Sequence, residues 1–188
     1  MKIIGISGTN GSGKDTLADM LSEKYGFYPV SATEMLGAEL LRRGLPTERE
    51  NKRQLSAEWR RQSGRGVIVA KAVQQAEAAG AGKLVVGSLR NSGEVERVHE
   101  LGGQVVWIDA DPKIRYERII KGERGRTEDR KSYAQFLKEE QIEMHSSGDD
   151  AALDMATVKP AADRVIYNEA GSVEEFIADM ENKLHDLL

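Results

Sequence analysis

The most constraining feature of the sequence is a glycine-rich segment that directly follows a short apolar run. Residues 8–14 are Gly-Thr-Asn-Gly-Ser-Gly-Lys, which fits the pattern G-x-x-x-x-G-K. The apolar run from Ile3 to Ile6 predicts a buried strand, and apolar residues at helical spacing follow from Leu17 to Leu21. Glycines allow close backbone approach, a helix N-terminus carries partial positive charge, and Lys14 adds a full charge. The segment therefore predicts a cradle for a nucleotide polyphosphate.

The composition supports a folded core and excludes several functional classes. Of the 188 residues, 39% are hydrophobic and 31% are charged, which excludes wholesale disorder. The net charge of −4 gives no general attraction to nucleic acid or anionic membranes, so neither is an expected partner. The absence of cysteine excludes disulfides, a thiolate nucleophile and zinc-thiolate sites. No apolar run is long enough for a signal segment or a membrane span, so we expect a cytoplasmic protein.

Further apolar runs alternate with segments of helical spacing and indicate the fold class. These runs lie at Tyr28–Val30, Leu84–Val86, Val105–Ile108 and Val165–Tyr167. Such alternation is typical of α/β proteins with a mostly parallel sheet. We therefore predict one P-loop NTPase domain over residues 1–188, with three α/β/α layers and a mostly parallel five-stranded sheet.

The last helix of this domain has the clearest pattern in the sequence. Its predicted core-facing stripe consists of Val173, Phe176, Ile177, Met180, Leu184 and Leu187. Ser172, after Gly171, offers an N-terminal cap for this helix.

Two charge-rich segments are too long to be simple connections between neighbouring elements. They run from about residue 34 to 65 and from about residue 121 to 154. Long insertions in compact domains usually serve as lids or binding lobes. We expect the first to form a helical acceptor-binding lobe and the second an arginine-containing lid. Within the second segment, Glu139-Glu140 and Asp149-Asp150 form no convincing metal or acid–base set and are expected on a solvated face.

The residues after Lys14 carry a first family resemblance. Asp15 occupies the position where a serine or threonine normally binds magnesium, and the hydroxyl follows at Thr16. In this respect the loop resembles adenylate kinase and related nucleoside monophosphate kinases. An aspartate in this position is similar to phage deoxynucleotide monophosphate kinases and phosphomevalonate kinases. Two roles stay open for Asp15, which either holds magnesium or its water, or caps the helix N-terminus.

The resemblance implies ATP and Mg²⁺ as cofactors. Residues expected to contact the nucleotide phosphates are Gly8, Asn10, Gly11, Ser12, Gly13, Lys14, Asp15 and Thr16. Of these, Asp15 and Thr16 are the expected contacts to the metal.

Residues 31–36, Ser-Ala-Thr-Glu-Met-Leu, are similar to the segment that opens the monophosphate-binding lobe of adenylate kinases. The resemblance implies that Ser31 and Thr33 contact the base or ribose of the acceptor. In that family a phosphate-binding arginine follows the leucine, whereas this chain has Gly37. The role is therefore vacant or is taken by another residue.

Arg42 and Arg43 are candidates for that vacant role. The alternative is that they are solvated helix residues beside a Leu40-Leu41 pair that faces the core.

Arg90 lies just beyond the carboxyl end of a predicted central strand, where open α/β sheets bind their ligands. It is our candidate for binding the acceptor phosphate, with a surface arginine at a helix start as the alternative. The chain most resembles adenylate-kinase-related proteins of archaea and bacteria, in which this strand ends Asp-Gly-Ile-Arg and a Glu-Val pair like Glu94-Val95 follows. This resemblance covers nearly the whole chain and includes dephospho-CoA-kinase-like ATPases of the AAA family.

Gly87 stands where the same resemblance implies the Walker B aspartate. Transfer from ATP needs a divalent ion to neutralise charge between the phosphates. Another carboxylate, most plausibly Asp15, would then orient the water shell of that ion.

Four arginines lie just before and at the start of the second long segment and suggest anion binding: Arg115, Arg118, Arg124 and Arg126. In adenylate-kinase-like enzymes the arginine equivalent to Arg118 borders the base and phosphates. Their lid Gly-Arg pair, here Gly125-Arg126, reaches the transferred phosphoryl group. The alternative is an exposed helix whose arginines pair with nearby glutamates.

The resemblance thus implies catalytic roles for Lys14, Arg90, Arg118 and Arg126. Asn168 resembles the family position beside the adenine, and recognition through the backbone at that position is equally open.

The expected function is transfer of the γ-phosphoryl group of ATP to a small phosphorylated acceptor, foremost a nucleoside or deoxynucleoside monophosphate. An acceptor that is already an anion needs no general base, which agrees with the lack of an obvious one. Two alternatives to this function stay open. The first is a dephospho-CoA kinase, and the second is a nucleotide-binding switch with weak ATPase activity. A monomer and a homodimer are both compatible with the sequence.

Overall fold

The computed structural model describes residues 1–122, 132–144 and 148–188, and its strands coincide with the predicted apolar runs. The strands are β1 (Lys2–Gly8), β2 (Tyr28–Ser31), β3 (Lys83–Gly87), β4 (Gln104–Asp109) and β5 (Arg164–Tyr167). Their order in the sheet is β2-β3-β1-β4-β5, and every pair formed by the described residues is parallel. The predicted α/β fold with a five-stranded sheet is confirmed, and the described sheet is parallel throughout.

Nine α-helices lie within the described residues and account for the helical spacing between the strands. They are α1 (Lys14–Tyr25), α2 (Ala32–Arg42), α3 (Arg49–Ser63), α4 (Val67–Ala78), α5 (Ser92–Glu100), α6 (Pro112–Lys121), α7 (Tyr133–Met144), α8 (Met155–Ala161) and α9 (Val173–Lys183). The predicted cap of α9 is present, because the Ser172 side chain accepts a hydrogen bond from the Glu175 amide at 3.1 Å.

Alternate residues of β1 face opposite layers of helices. Ile3 packs in the cluster that includes residues of α4, α5 and α8. Ile4 and Ile6 pack in the cluster that includes residues of α1 and α9. A strand that is covered on both faces has to be apolar along its length, which explains the continuous run in the sequence. Because the strands are parallel, their last residues lie at the same edge of the sheet, among them Gly8, Gly87 and Asp109.

Helices α2 and α3 and the first residues of α4 share a hydrophobic cluster beside the sheet. Its members are Ala32, Leu36, Leu40, Leu55, Trp59, Val67 and Ile68. Leu40 and Leu41 were both expected to face the core. The prediction is confirmed for Leu40, which is 2% exposed, and wrong for Leu41, which is 69% exposed. Successive helix residues point about 100° apart, so one face cannot bury both. Val173 departs from the predicted stripe of α9 and is 55% exposed at its first turn.

Candidate nucleotide and acceptor site

The phosphate loop, residues 8–14, joins the end of β1 to the start of α1. Gly8 has φ of 141°, and a Cβ atom there would lie 2.0 Å from the carbonyl oxygen of Ile108. Gly13 has φ of 100°, and no side chain caps the first turn of α1. The first amide groups of a helix lack intrahelical acceptors, and the helix dipole adds partial positive charge. The local geometry is therefore that of an anion site.

Asp109, the last residue of β4, supports the phosphate loop from the side. Its carboxylate accepts hydrogen bonds from the Thr9 hydroxyl at 2.8 Å, the Lys159 ammonium at 2.8 Å and the Ala110 amide at 3.0 Å. Burial acts to raise the pKa of Asp109, but the hydrogen bonds from Lys159 and Thr9 outweigh it and lower that pKa. No role was predicted for Asp109 from the sequence, although a carboxylate directly after the apolar run Val105–Ile108 was an available signal.

Asn168 and Arg118 support the opposite end of the loop. The Asn168 side-chain amide donates to the Ser12 carbonyl at 2.8 Å. Arg118 Nη2 donates to the carbonyls of Asn168 at 3.2 Å and Ala170 at 2.9 Å. Burial lowers the pKa of Arg118, and its Nη1 is buried with no hydrogen-bond partner within the described part of the chain. Both residues therefore lie beside the phosphate loop.

Arg115 links the loop to α7. Its side chain is 2% exposed and donates to the carbonyls of Ala110 at 2.8 Å and Asn10 at 3.4 Å. Its guanidinium also pairs with the Glu140 carboxylate, with Nη2 and Oε1 2.7 Å apart. The expected solvated position of Glu139-Glu140 is therefore wrong for Glu140. Glu140 and Glu143 of α7 are only partly exposed and pair with arginine side chains.

A cleft of about 880 Å³ lies between the phosphate loop and the α2–α3 helices. Three separate segments of the chain supply the predicted site residues that line it, namely Asn10, Lys14, Asp15, Ser31, Thr33 and Arg90. Lys14 is 8% exposed, and its ammonium lies 3.5 Å from the Thr9 carbonyl oxygen. Ser31 caps α2 by accepting from the Glu34 amide at 3.4 Å. One cleft thus reaches from the phosphate loop to the predicted acceptor residues.

The segment that presents Arg90 to this cleft is fixed by hydrogen bonds. Ser88 has φ of 65°, a left-handed conformation that is uncommon outside glycine. The buried Glu94 carboxylate accepts from the amides of Arg90 at 2.7 Å and Asn91 at 3.2 Å. It also pairs with the buried Arg60 of α3, with Oε1 and Nη2 2.6 Å apart. Glu94 was named from the sequence only as part of the Glu-Val pair of the family resemblance, and its pairing with Arg60 was not predicted.

Arg90 lies in a network of charges at the cleft wall. Its Nη1 donates to the Glu143 carboxylate of α7 at 2.9 Å, and Arg49 of α3 pairs with the same carboxylate. Burial, followed by the nearby charge of Arg49, lowers the pKa of Arg90 to about 10 against the opposing effects of Glu94 and Asp15. The guanidinium therefore stays charged at neutral pH. The sequence analysis missed Arg49, because its partner lies far along the chain.

The remaining arginine candidates lie elsewhere. Arg42 and Arg43 both pair with Glu39 at 2.7 Å, hold the pKa of Glu39 at about 2, and do not line the cleft. The interpretation as solvated helix residues is therefore favoured for this pair. Arg124 and Arg126 lie outside the described residues.

None of the helices within residues 1–122, 132–144 and 148–188 combines the length and the apolar character that crossing a bilayer requires.

The chain is similar to known proteins both in sequence and in fold. UPF0200 proteins from Pyrobaculum aerophilum and Methanococcus maripaludis are 29% and 26% identical to it; each alignment covers 100% of this chain, and 99% and 98% of the relative. A shikimate kinase structure from Bacteroides thetaiotaomicron has a TM-score of 0.61 at 14% identity and covers 97% of this chain and 98% of its own. A sugar kinase structure from Janibacter has a TM-score of 0.51 at 17% identity, and the alignment covers 98% of this chain and 95% of the sugar kinase chain.

These structures share the P-loop kinase fold with the chain, at identities that speak for the fold alone. A family model described as an AAA domain matches residues 4–144, which include the phosphate loop and the Arg90 segment. Because this match spans well over half of the chain, the protein belongs to the AAA domain family.

Proposed function

We propose that the protein is a phosphotransferase that moves the γ-phosphoryl group of ATP to a small phosphorylated acceptor, foremost a nucleoside or deoxynucleoside monophosphate. The observation that carries this proposal is the cleft, which is lined by Lys14 at one end and by Ser31, Thr33 and Arg90 elsewhere. The kinase fold of the shikimate and sugar kinase structures supports the reaction class.

In the proposed reaction an oxygen of the acceptor phosphate attacks the γ-phosphorus of ATP. The bond between that phosphorus and the β–γ bridging oxygen breaks, and ADP leaves. The acceptor oxygen is already anionic, so no proton has to be removed. Lys14 and the loop amides hold the donor phosphates, and Arg90 binds the acceptor phosphate, so that catalysis consists of positioning and charge stabilisation.

Magnesium is the metal that the fold implies, and its candidate ligands lie within the described residues 1–122, 132–144 and 148–188. Those residues hold no group of three or more carboxylates or imidazoles that could bind a metal ion, and Gly87 contributes no carboxylate. Magnesium usually takes one or two protein oxygens together with phosphates and waters. Asp15, which lines the cleft, and Thr16 beside it fit that requirement. When bound, the ion would neutralise charge on the ATP phosphates.

The other predicted residues receive supporting roles in this proposal. Arg118 and Asn168 keep the phosphate loop in shape through the Ser12 contact, next to the expected base position. Ser31 and Thr33 contact the base or sugar of the acceptor. Arg126 stays a prediction for the transferred phosphoryl group.

The test is a product-resolved transfer screen. Purified protein is incubated with Mg²⁺–ATP and a panel of all ribo- and deoxyribonucleoside monophosphates, and products are identified by mass spectrometry. The Lys14→Ala variant serves as the control for contaminating kinases. We expect a diphosphate from one or a few related acceptors with the wild-type protein only.

An acceptor hydroxyl is the second candidate, since the solved structures of the same fold include shikimate and sugar kinases. The panel therefore also contains dephospho-CoA and shikimate. A product from one of these would replace the phosphorylated-acceptor proposal. ADP and inorganic phosphate without any transfer product would favour the nucleotide-binding switch.

A further inference from the structure

Lys52 differs from the other basic side chains that line the cleft. Arg49 and Arg90 pair with Glu143, and Lys14 contacts the Thr9 carbonyl. Arg53 and Arg60, which also line the cleft, pair with Glu50 and Glu94. Within the described residues, Lys52 is the only one of these six side chains with no hydrogen bond or ion pair. Its ammonium is therefore available to an anion that enters the cleft.

The end of the Lys52 side chain lies beside Gly37 of α2. A Cβ atom built on Gly37 would lie 3.6 Å from Lys52 Cε and 4.0 Å from Lys52 Nζ. Gly37 is a buried residue of α2 that also lines the cleft. The end of the Lys52 side chain thus lies against the bare backbone of α2, in the space toward which a side chain at position 37 would project.

We propose that Lys52 binds the anionic group of the acceptor, a phosphate monoester, on the α3 wall of the cleft. This inference rests on the proposed function for the identity of its ligand. An ammonium carries three donors and a compact charge, which suits phosphate oxygens approaching from several directions. Arg49 and Arg90 already share the Glu143 carboxylate, whose negative charge opposes an incoming phosphate, whereas Lys52 has no carboxylate partner among the described residues.

The first experiment uses inorganic phosphate as the probe and needs no transfer activity. The phosphate loop also binds phosphate, so the titration is made in a Lys14→Ala background and followed through the backbone amide resonance of Gly37. The variants compared in that background are Lys52→Ala, Lys52→Arg and Lys113→Ala. Lys113 is an exposed lysine of α6 outside the cleft and controls for the loss of one charge.

We expect Lys52→Ala to weaken phosphate binding by about 10- to 100-fold, as for one charge-assisted hydrogen bond. Lys52→Arg should restore most of the binding, and Lys113→Ala should leave it within about twofold. The inference is overturned if Lys52→Ala binds as tightly as Lys113→Ala, or if phosphate leaves the Gly37 resonance unmoved.

The second experiment separates this inference from the proposed function. With the acceptor identified in the transfer screen, Lys52→Ala should raise the acceptor KM about tenfold or more and leave the ATP KM within about twofold. Transfer without any effect of Lys52→Ala would reject the role of Lys52 and leave the proposed function standing. Phosphate binding that depends on Lys52 in a protein without transfer would reject the function and leave the anion site standing.

Discussion

The phosphate loop and the proposed acceptor wall of the cleft are built in opposite ways. The loop is a continuous segment, residues 8–14, whose shape follows from glycines and a helix start. The acceptor wall takes Ser31 from β2, Arg49 and Lys52 from α3, and Arg90 from the segment after β3. A continuous site is recognisable in a sequence, whereas a wall assembled from separate elements depends on how those elements pack. The two sides of the cleft should therefore respond differently to mutation.

The largest expected effect is on the stability of the acceptor wall. Glu94→Ala leaves the Arg60 guanidinium, whose side chain is 2% exposed, without its carboxylate partner. We expect a loss of about 3–5 kcal/mol in the free energy of unfolding, measured by urea denaturation. The matched control is Glu96→Ala in the same helix, because the Glu96–Arg65 pair is exposed and should be worth about 0–1 kcal/mol. Equal losses for both variants would contradict a buried ion pair at this wall.

Two neighbouring leucines test the packing of the lobe below that wall. Leu40→Ala removes a side chain from the cluster of α2 and α3 and should cost about 2–5 kcal/mol. Leu41→Ala removes an exposed side chain and should change stability by about 0.5 kcal/mol or less. Thermal and urea unfolding of the two variants measure the difference. A larger loss from Leu41→Ala would mean that the lobe packs on the opposite face of α2.

Arg90→Ala tests whether the two sides of the cleft act on different substrates. Loss of the guanidinium should raise the acceptor KM by about 10- to 100-fold and change the ATP KM little. Arg97→Ala is the matched control, because Arg97 is a partly exposed arginine of α5 that does not line the cleft. An equal effect on both KM values would remove Arg90 from the acceptor side.

The smallest expected effect is a pH dependence on the loop side. The pKa of Asp109 is lowered because hydrogen bonds from Lys159 and Thr9 outweigh burial. A carboxyl whose folded pKa lies below its unfolded value stabilises the fold above about pH 4, and this contribution is lost as the pH falls through the folded pKa. Asp109→Asn should therefore show a shallower loss of stability below about pH 4 than the wild type. The control is Asp150→Asn, because Asp150 is an exposed aspartate. If stability falls with pH equally in Asp109→Asn and the wild type, the acid sensitivity comes from other groups.

Sequence patterns predicted the parts of the molecule that depend on local chemistry. The strands, the phosphate loop and the cap of α9 all follow from the spacing of apolar, glycine and capping residues. The pattern did not decide which of Leu40 and Leu41 is buried, since that depends on where the partner helix lies.

Long-range pairs were beyond the sequence analysis for a physical reason. Arg90 and Glu143 are 53 residues apart, and Arg115 and Glu140 are 25 residues apart. The charge of each arginine indicates that it has an acidic partner, but the sequence does not indicate which carboxylate that partner is. Lys52 was missed for the opposite reason, because a lysine in a charged helix gives no signal until its neighbours are known.

The central claim is that this cleft carries a phosphoryl group from ATP to a small phosphorylated acceptor. The most direct measurement incubates the wild-type protein and the Lys14→Ala variant with γ-¹⁸O-labelled ATP and the acceptor panel. The account predicts label in an acceptor product with the wild type, reduced by about 100-fold or more in Lys14→Ala. Label found only in inorganic phosphate, or transfer that survives unchanged in Lys14→Ala, would contradict it.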